Sequence, residues 1–351
     1  METEWGFLEA QLQGTYIQRQ LARTNRNLFL IGLGLIVAVG SYGVSESRYF
    51  YNFFRGPVEM SADAVAAVGS PEALKRYFVS VKGDDSIDSG VQNVEKQVAQ
   101  TGVVESETVK AGYSILTIGK RLLIVKRPPK ENGKEYVGAL VQLPADVRSE
   151  IITPLLSDYP HAEEVFLPTM LDATGFRDEG YTAAAICIPV ILFAFWTIWK
   201  VRMRIENPLR HPILKSLSRY GSLADSARQI EAETNNTSLR KLVLSRSWIL
   251  RPSVFALAAC HVPDIVWAYE KVTKHSVNFI PTGKSYAAII FDKYGQPLEL
   301  AASKREADEF LGTLSAAVPW AVFGFTDELK RVAEADWDGF VAAVNERRLR
   351  G

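Results

Sequence analysis

Two stretches of this 351-residue chain carry no charged side chain over lengths that match the hydrocarbon thickness of a bilayer. The first runs from Asn27 to Ser45, with an almost wholly apolar centre from Leu28 to Gly40; the second runs from Gly180 to Trp199, centred on Ala183 to Trp196. About 20 such residues at ~1.5 Å rise span ~30 Å, and lipid offers the backbone no hydrogen-bond partners, so a helix is the form each must take. Both are therefore expected to be membrane-spanning helices, residues 27–45 and 180–199. The competing reading, a buried core helix of a soluble protein, is disfavoured by Tyr42, Tyr181, Trp196 and Trp199 at the ends, where interfacial aromatics belong. A cleaved signal peptide is disfavoured for the first span by the long polar lead before it, which includes Glu2, Glu4 and Glu9.

Orientation follows from where the cations lie. Arg19, Arg23 and Arg26 precede the first span, and Lys200, Arg202, Arg204, Arg210, Lys215 and Arg219 follow the second. The stretch 46–179 between them is acid-rich. The positive-inside rule places both termini in the cytoplasm and residues 46–179 across the membrane. Neither span contains an Asp, Glu, Lys, Arg or His, which ion paths and proton relays usually need, so the helices read as anchors rather than a transport path. Pro189 removes a backbone donor from the second span and is expected to kink it. Gly34 and Ala38 give the first span a small-residue face on which another helix, including one from a second copy, could pack.

Forty Lys and Arg balance forty Asp and Glu, which leaves no global basic field for nucleic acid. The two cysteines, Cys187 and Cys260, cannot build a disulfide framework within either soluble region. Ahead of the first span (residues 1–26), Trp5, Leu8, Leu12 and Tyr16 recur at helical spacing. That stripe fits a helix packed on the C-terminal domain better than one lying among lipid headgroups.

Residues 46–179 read as an α+β domain. A capped short helix is expected at Ser70-Pro71-Glu72 and a strand at 76–81. A hairpin joins Tyr113–Ile118 to Arg121–Lys126 through Gly119-Lys120, a further strand spans 136–142, and a helix starts near Pro144. Asp84, Asp85, Asp88 and Glu95 echo a calcium loop, but Ser89 stands where that loop needs Gly, so an acidic turn is the better reading.

After the second span, residues 200–237 form a basic juxtamembrane segment with helices starting at His211-Pro212 and at Ser222. Lys200, Arg202, Arg204, Arg210 and Lys215 are the candidates for anionic lipid headgroups, each cation contributing on the order of 1 kcal/mol near such a surface. From residue 238 to the end the texture is β and then helical. Short strands are expected at 241–244, 247–250, 254–257, 265–269, 285–291 and 297–300, followed by a capping box at Ser303-Lys-Arg-Glu306 and a helix from Asp327. This order of strands closed by a helix over residues 238–320, with Asp264-Ile-Val-Trp-Ala-Tyr269 and Pro319-Trp320, resembles the PH-like domains of uncharacterised bacterial two-pass membrane proteins. The resemblance implies lipid-headgroup or protein binding rather than catalysis, and fold analogy does not choose between them.

Catalytic motifs fail on context. Thr282-Gly-Lys-Ser285 lacks the first Gly of a phosphate loop and precedes a strand, and the sequence offers no other cofactor signature. Cys260 and His261 are adjacent on a strand and point to opposite faces. His161, His211, His261 and His275 lack zinc-site spacing. The glycosylation sequons at 235–238 fall on the cytoplasmic side, where they are silent. Two function classes remain: a membrane-anchored binding or scaffold protein, its outer domain meeting an envelope partner and its PH-like domain engaging lipid or protein; or a membrane-tethered enzyme whose site in the outer domain is dispersed in sequence. Clustered polar side chains in an outer-domain pocket would favour the second, and an apolar patch the first.

Overall fold

The computed structural model describes residues 10–98, 104–234, 242–277 and 280–350. Two long helices dominate it: α1, Tyr16–Ser45, and α2, Phe176–Glu206. At ~1.5 Å per residue each is ~45 Å long, so the uncharged stretches are the middles of longer rods. Helix α2 continues as one element across Pro189. Both are long and apolar enough to cross a membrane, and only 11% of the most apolar 18-residue window of each is buried. A core helix of a soluble protein would be mostly buried. Here Leu30, Val37, Ile186, Leu192 and Phe195 are instead exposed along both rods. The chain divides into two compact units, residues 34–193 and residues 1–33 with 194–351, and each long helix contributes to both.

The middle unit is built on one seven-stranded sheet in the order β1-β2-β6-β7-β5-β4-β3. Its strands are β1 Val58–Met60, β2 Phe78–Lys82, β3 Asp85–Val98, β4 Val104–Ile118, β5 Arg121–Arg127, β6 Glu135–Gln142 and β7 Phe166–Asp172. The pairs β1/β2 and β5/β7 are parallel and the others antiparallel. Strand alternation sorts the core onto two faces. Leu123, Val125, Leu140 and Leu171 face Val65 and Val68; Ile124 and Met170 face Val147, Ile151 and Ile152 of the helix that starts at Ala145. The expected hairpin at Gly119-Lys120 is present, with Gly119 at a positive φ of 59°. The helix expected after Ser70 is a single 3-10 turn, Pro71–Ala73.

A nine-residue helix, Ser47–Arg55, ties the end of α1 to this sheet. Asn52 is fully buried and fully used: its amide donates to Lys75 O and Arg48 O, and its carbonyl accepts from Tyr77 N. Around it Tyr49 donates to Phe176 O, Phe78 stacks on Phe176 with ring centroids 4.2 Å apart, and the Arg48 guanidinium lies over Tyr77.

In the other unit, α3 Pro212–Leu217 and α4 Leu223–Thr234 precede an antiparallel sheet of β8 Val243–Leu244, β9 Trp248–Pro252 and β10 Leu257–His261. A second sheet has the order β13-β12-β11-β14, with β11 Ile265–Val277, β12 Ile280–Asp292, β13 Pro297–Ala302 and β14 Val322–Phe323. Helices α5 Lys304–Ala317, α6 Asp327–Ala335 and α7 Trp337–Arg350 cover it from both faces, Leu314 of α5 packing on Ala268, Ala288 and Ile290, and Ala333, Phe340 and Val344 on Trp267. Both arms of the Ser303/Glu306 capping box form. The strand expected at 254–257 starts only at Leu257, because Ser253 to Ala256 makes a hydrogen-bonded turn. Leu12 and Tyr16 are buried against Ile213, Leu214, Ile230 and Trp248, so this part of the N-terminal stripe packs on protein; Trp5 and Leu8 lie outside the described residues.

Candidate functional site

A hollow of about 700 Å³ lies in the second sheet's unit, where β11 and β12 meet α6 and the start of α7. Alternation puts Trp267 and Tyr269 of β11 on one face with Phe291 of β12, and the opposite face is taken by the α5 core. The rings fix one another: Trp267 stacks on Phe291 and Phe325, Tyr269 meets Phe325 at 5.0 Å, and Phe291 meets Trp337 at 5.7 Å. Their polar handles are spent on backbone, Trp267 Nε1 donating to Gly324 O and Trp337 Nε1 to Lys293 O. What remains toward the cleft is ring surface, bordered by Lys271, Lys330 and Glu334. Burial, and then the Glu299 carboxylate, push the Tyr269 phenol above its ordinary value, so it stays neutral.

The sheet edge beside this cleft is open. Strand β14 pairs with β11 only at Trp267 and Ala268, so from Tyr269 onward that edge of β11 has no neighbouring strand among the described residues. An unpaired edge is a ready template for an added strand, and here it runs along the aromatic hollow.

The five basic candidates do not form one patch. Arg202 is paired with Glu206 at 2.6 Å, and Lys200 sits over the rings of Trp196 and Trp199. Arg210 and Lys215 are exposed, whereas Arg204 is half-buried in a separate hollow with Asn25 and His211. The hollow beside Asn25 is not legible in sequence because its other wall comes from Arg204 and His211, far downstream, and the aromatic cleft is not because Phe325 and Trp337 lie in segments that carry no strand signal.

The polar cluster around His261 is structural. His261 Nδ1 lies 2.9 Å from Asp264, which also binds Lys293 at 3.0 Å, while Tyr220 donates to Asp292 at 2.6 Å. Burial raises the Asp264 carboxyl, but the hydrogen bonds from His261 and Lys293 outweigh it and hold the group below its usual range. Burial pushes the Cys260 thiol well up, with Asp292 and Asp264 adding to it, so this side chain is held as the neutral thiol. The residues of the calcium-like loop go to separate partners in β3 and before it: Asp84 accepts from Gly119 N, Asp85 pairs with Lys134, and Asp88 with the buried Arg127. No group of three metal-ligating side chains occurs among the described residues. Thr282 to Ser285 lie within β12, and the 235–238 sequons lie outside the described residues. In the middle unit the larger hollow, about 490 Å³, is mainly apolar, lined by Leu122, Leu155, Tyr159 and Phe166 with Asp158 and His161 at its margin.

No family model, curated protein or solved structure matches the chain.

Proposed function

We propose that this chain is a membrane-anchored binding protein of the scaffold kind, held by two spans with both termini in the cytoplasm, its middle unit outside and its C-terminal unit inside. The C-terminal unit takes an extended segment of a partner protein, which adds as a strand to the open edge of β11 and seats an apolar or aromatic side chain in the cleft. The observation that carries the reading is the juxtaposition of that unpaired edge with six aromatic rings, Trp267, Tyr269, Phe291, Tyr294, Phe325 and Trp337. Backbone pairing supplies affinity and the pocket supplies choice of side chain, the division of labour in strand-addition recognition. Three sheet strands, a second sheet and the α5 closure are also the ingredients of a PH-like module, and in the middle unit the apolar hollow of about 490 Å³ supports binding more than the smaller hollow of about 210 Å³ beside Asp172 and Glu179 supports catalysis.

Topology is tested by placing single cysteines at Ser86 and Ser303 in a cysteine-free background and labelling intact cells with a membrane-impermeant thiol reagent. Labelling at 86 alone is expected; labelling at 303 refutes the orientation. Partner binding is tested with a photo-crosslinking residue at Lys271 in the full-length protein in cells. A discrete protein adduct that disappears with Trp267→Ala is expected, and an adduct indifferent to Trp267→Ala, or to lipid alone, overturns the cleft's role.

A further inference from the structure

We propose that the hollow between Asn25 of α1 and Arg204 of α2 binds the headgroup of an anionic phospholipid bearing a hydroxyl, with the phosphate on Arg204 and the hydroxyl on Asn25. The inference rests on the two-span reading above.

The hollow has a volume of about 210 Å³ and is lined by Leu21, Asn25, Arg204, Ile205, Pro208 and His211. Two of its polar atoms are buried without a hydrogen-bond partner, Asn25 Oδ1 and Arg204 Nη1. Orphaned buried polar atoms are costly, and one on a charged guanidinium more so, so each calls for a partner, and here both line the same hollow. The charge of Arg204 is not met from within: no ion pair among the described residues includes it, and the nearest carboxylate in sequence, Glu206, is engaged by Arg202. Burial alone depresses its proton affinity, with no neighbouring acid to restore it. His211 does not substitute as a cation or an anion partner. Its Nδ1 accepts from Ile213 N, which leaves the proton on Nε2, 3.2 Å from Thr24 Oγ1, so the ring is neutral and both nitrogens are occupied.

The two orphans demand different things. Arg204 needs acceptor oxygens with negative charge, and Asn25 Oδ1 needs a donor. An anion without a donor satisfies the first alone; a phosphodiester carrying a hydroxylated alcohol satisfies both, and unlike an ethanolamine headgroup it brings no second cation beside Arg204. Position argues for a lipid source. Asn25 lies about 3 Å before the uncharged stretch of α1 and Arg204 about 8 Å beyond that of α2, both within headgroup depth of one membrane face. The helices meet closely at this end, where Gly32 faces Thr197, Ala194 and Ile198.

The full-length protein in mild detergent is titrated with phosphatidylglycerol, phosphatidylethanolamine or phosphatidylcholine, and bound lipid is counted by native mass spectrometry. One phosphatidylglycerol is expected to bind about ten-fold more tightly than either other lipid: all three offer Arg204 the same phosphodiester, and the difference is the hydroxyl's hydrogen bond to Asn25 together with the absence of a headgroup cation beside Arg204. Arg204→Gln and Asn25→Leu should each remove that preference, whereas Arg202→Gln should keep it. Asn25→Leu leaves the charge in place and fills the hollow, so it tests the site even where Arg204→Gln unfolds. Equal binding of the three lipids, or equal loss in Arg202→Gln, overturns the site, and displacement by millimolar inorganic phosphate overturns the lipid source. A chain that leaves the membrane fraction without detergent refutes the two spans; one that stays there without lipid preference refutes this pocket alone.

Discussion

His211 gives the sharpest test of how the N-terminal helix is held against the C-terminal unit. The ring is almost wholly buried, accepts a hydrogen bond from Ile213 N and faces Thr24 of α1, and no carboxylate compensates a charge there. Burial first, and then the Arg204 guanidinium, lower its pKa from 6.5 to about 4. A depressed histidine binds fewer protons folded than unfolded, so its stability is present above pH 6.5 and is lost as pH falls toward 4. The full difference is about 3 kcal/mol, and about 2 kcal/mol of it is already gone at pH 5, which corresponds to a roughly 30-fold larger opening equilibrium. Hydrogen exchange of amides 16–24 and 213–217, corrected for intrinsic rates, should therefore accelerate by that factor between pH 8 and pH 5. In His211→Asn, which keeps an N-cap acceptor and does not titrate, the acceleration should vanish. Equal pH dependence in both proteins would refute the assignment of a buried neutral ring.

Other substitutions probe the packing. Gly32→Leu places a side chain against Thr197 and the Ala194 carbonyl and is expected to separate α1 from α2, read as loss of a disulfide between cysteines engineered along that seam. Gly138→Ala is expected to cost about 1–3 kcal/mol, because the new methyl meets the Asp172 backbone carbonyl of the adjoining strand, which cannot rotate away; limited proteolysis of the middle unit reads it. Ser303→Ala removes the acceptor for Glu306 N and should destabilise α5 by about 1 kcal/mol, seen as faster exchange in its first turn and not elsewhere.

What the sequence disclosed was what is local. Uncharged length announced α1 and α2, a Ser and a Glu three apart announced the start of α5, and Gly-Lys between alternating runs announced the β4/β5 hairpin. Strand β7 escaped because Pro168 lies inside it, and proline argues against a central strand. The ladder accommodates it through an irregularity: β5 advances from Leu122 to Ile124 while β7 advances from Phe166 to Met170. Strand β3 stands where the sequence suggests an acidic turn, and β4, β11 and β12 extend well beyond the short strands expected there, because the outer parts of these ribbons are polar and lack the alternation of a half-buried strand. The five basic residues were legible as a charge run, and the Arg202–Glu206 pair is a local i,i+4 contact on α2, but only tertiary contacts reveal that Arg204 is enclosed.

The place of β7 in the sheet sets an order in time. It lies between β6 and β5, in the centre, yet it is the last strand of its unit to be synthesised, four residues before α2 begins. Until it arrives, β2/β6 on one side and β5/β4/β3 on the other have nothing between them, and Leu171 is missing from one core face and Met170 from the other. The middle unit therefore closes only as the second apolar helix emerges behind it. Completion of that unit and the appearance of the second apolar helix follow one another directly along the chain, so a truncation just before residue 166 should leave two half-sheets rather than a smaller folded domain.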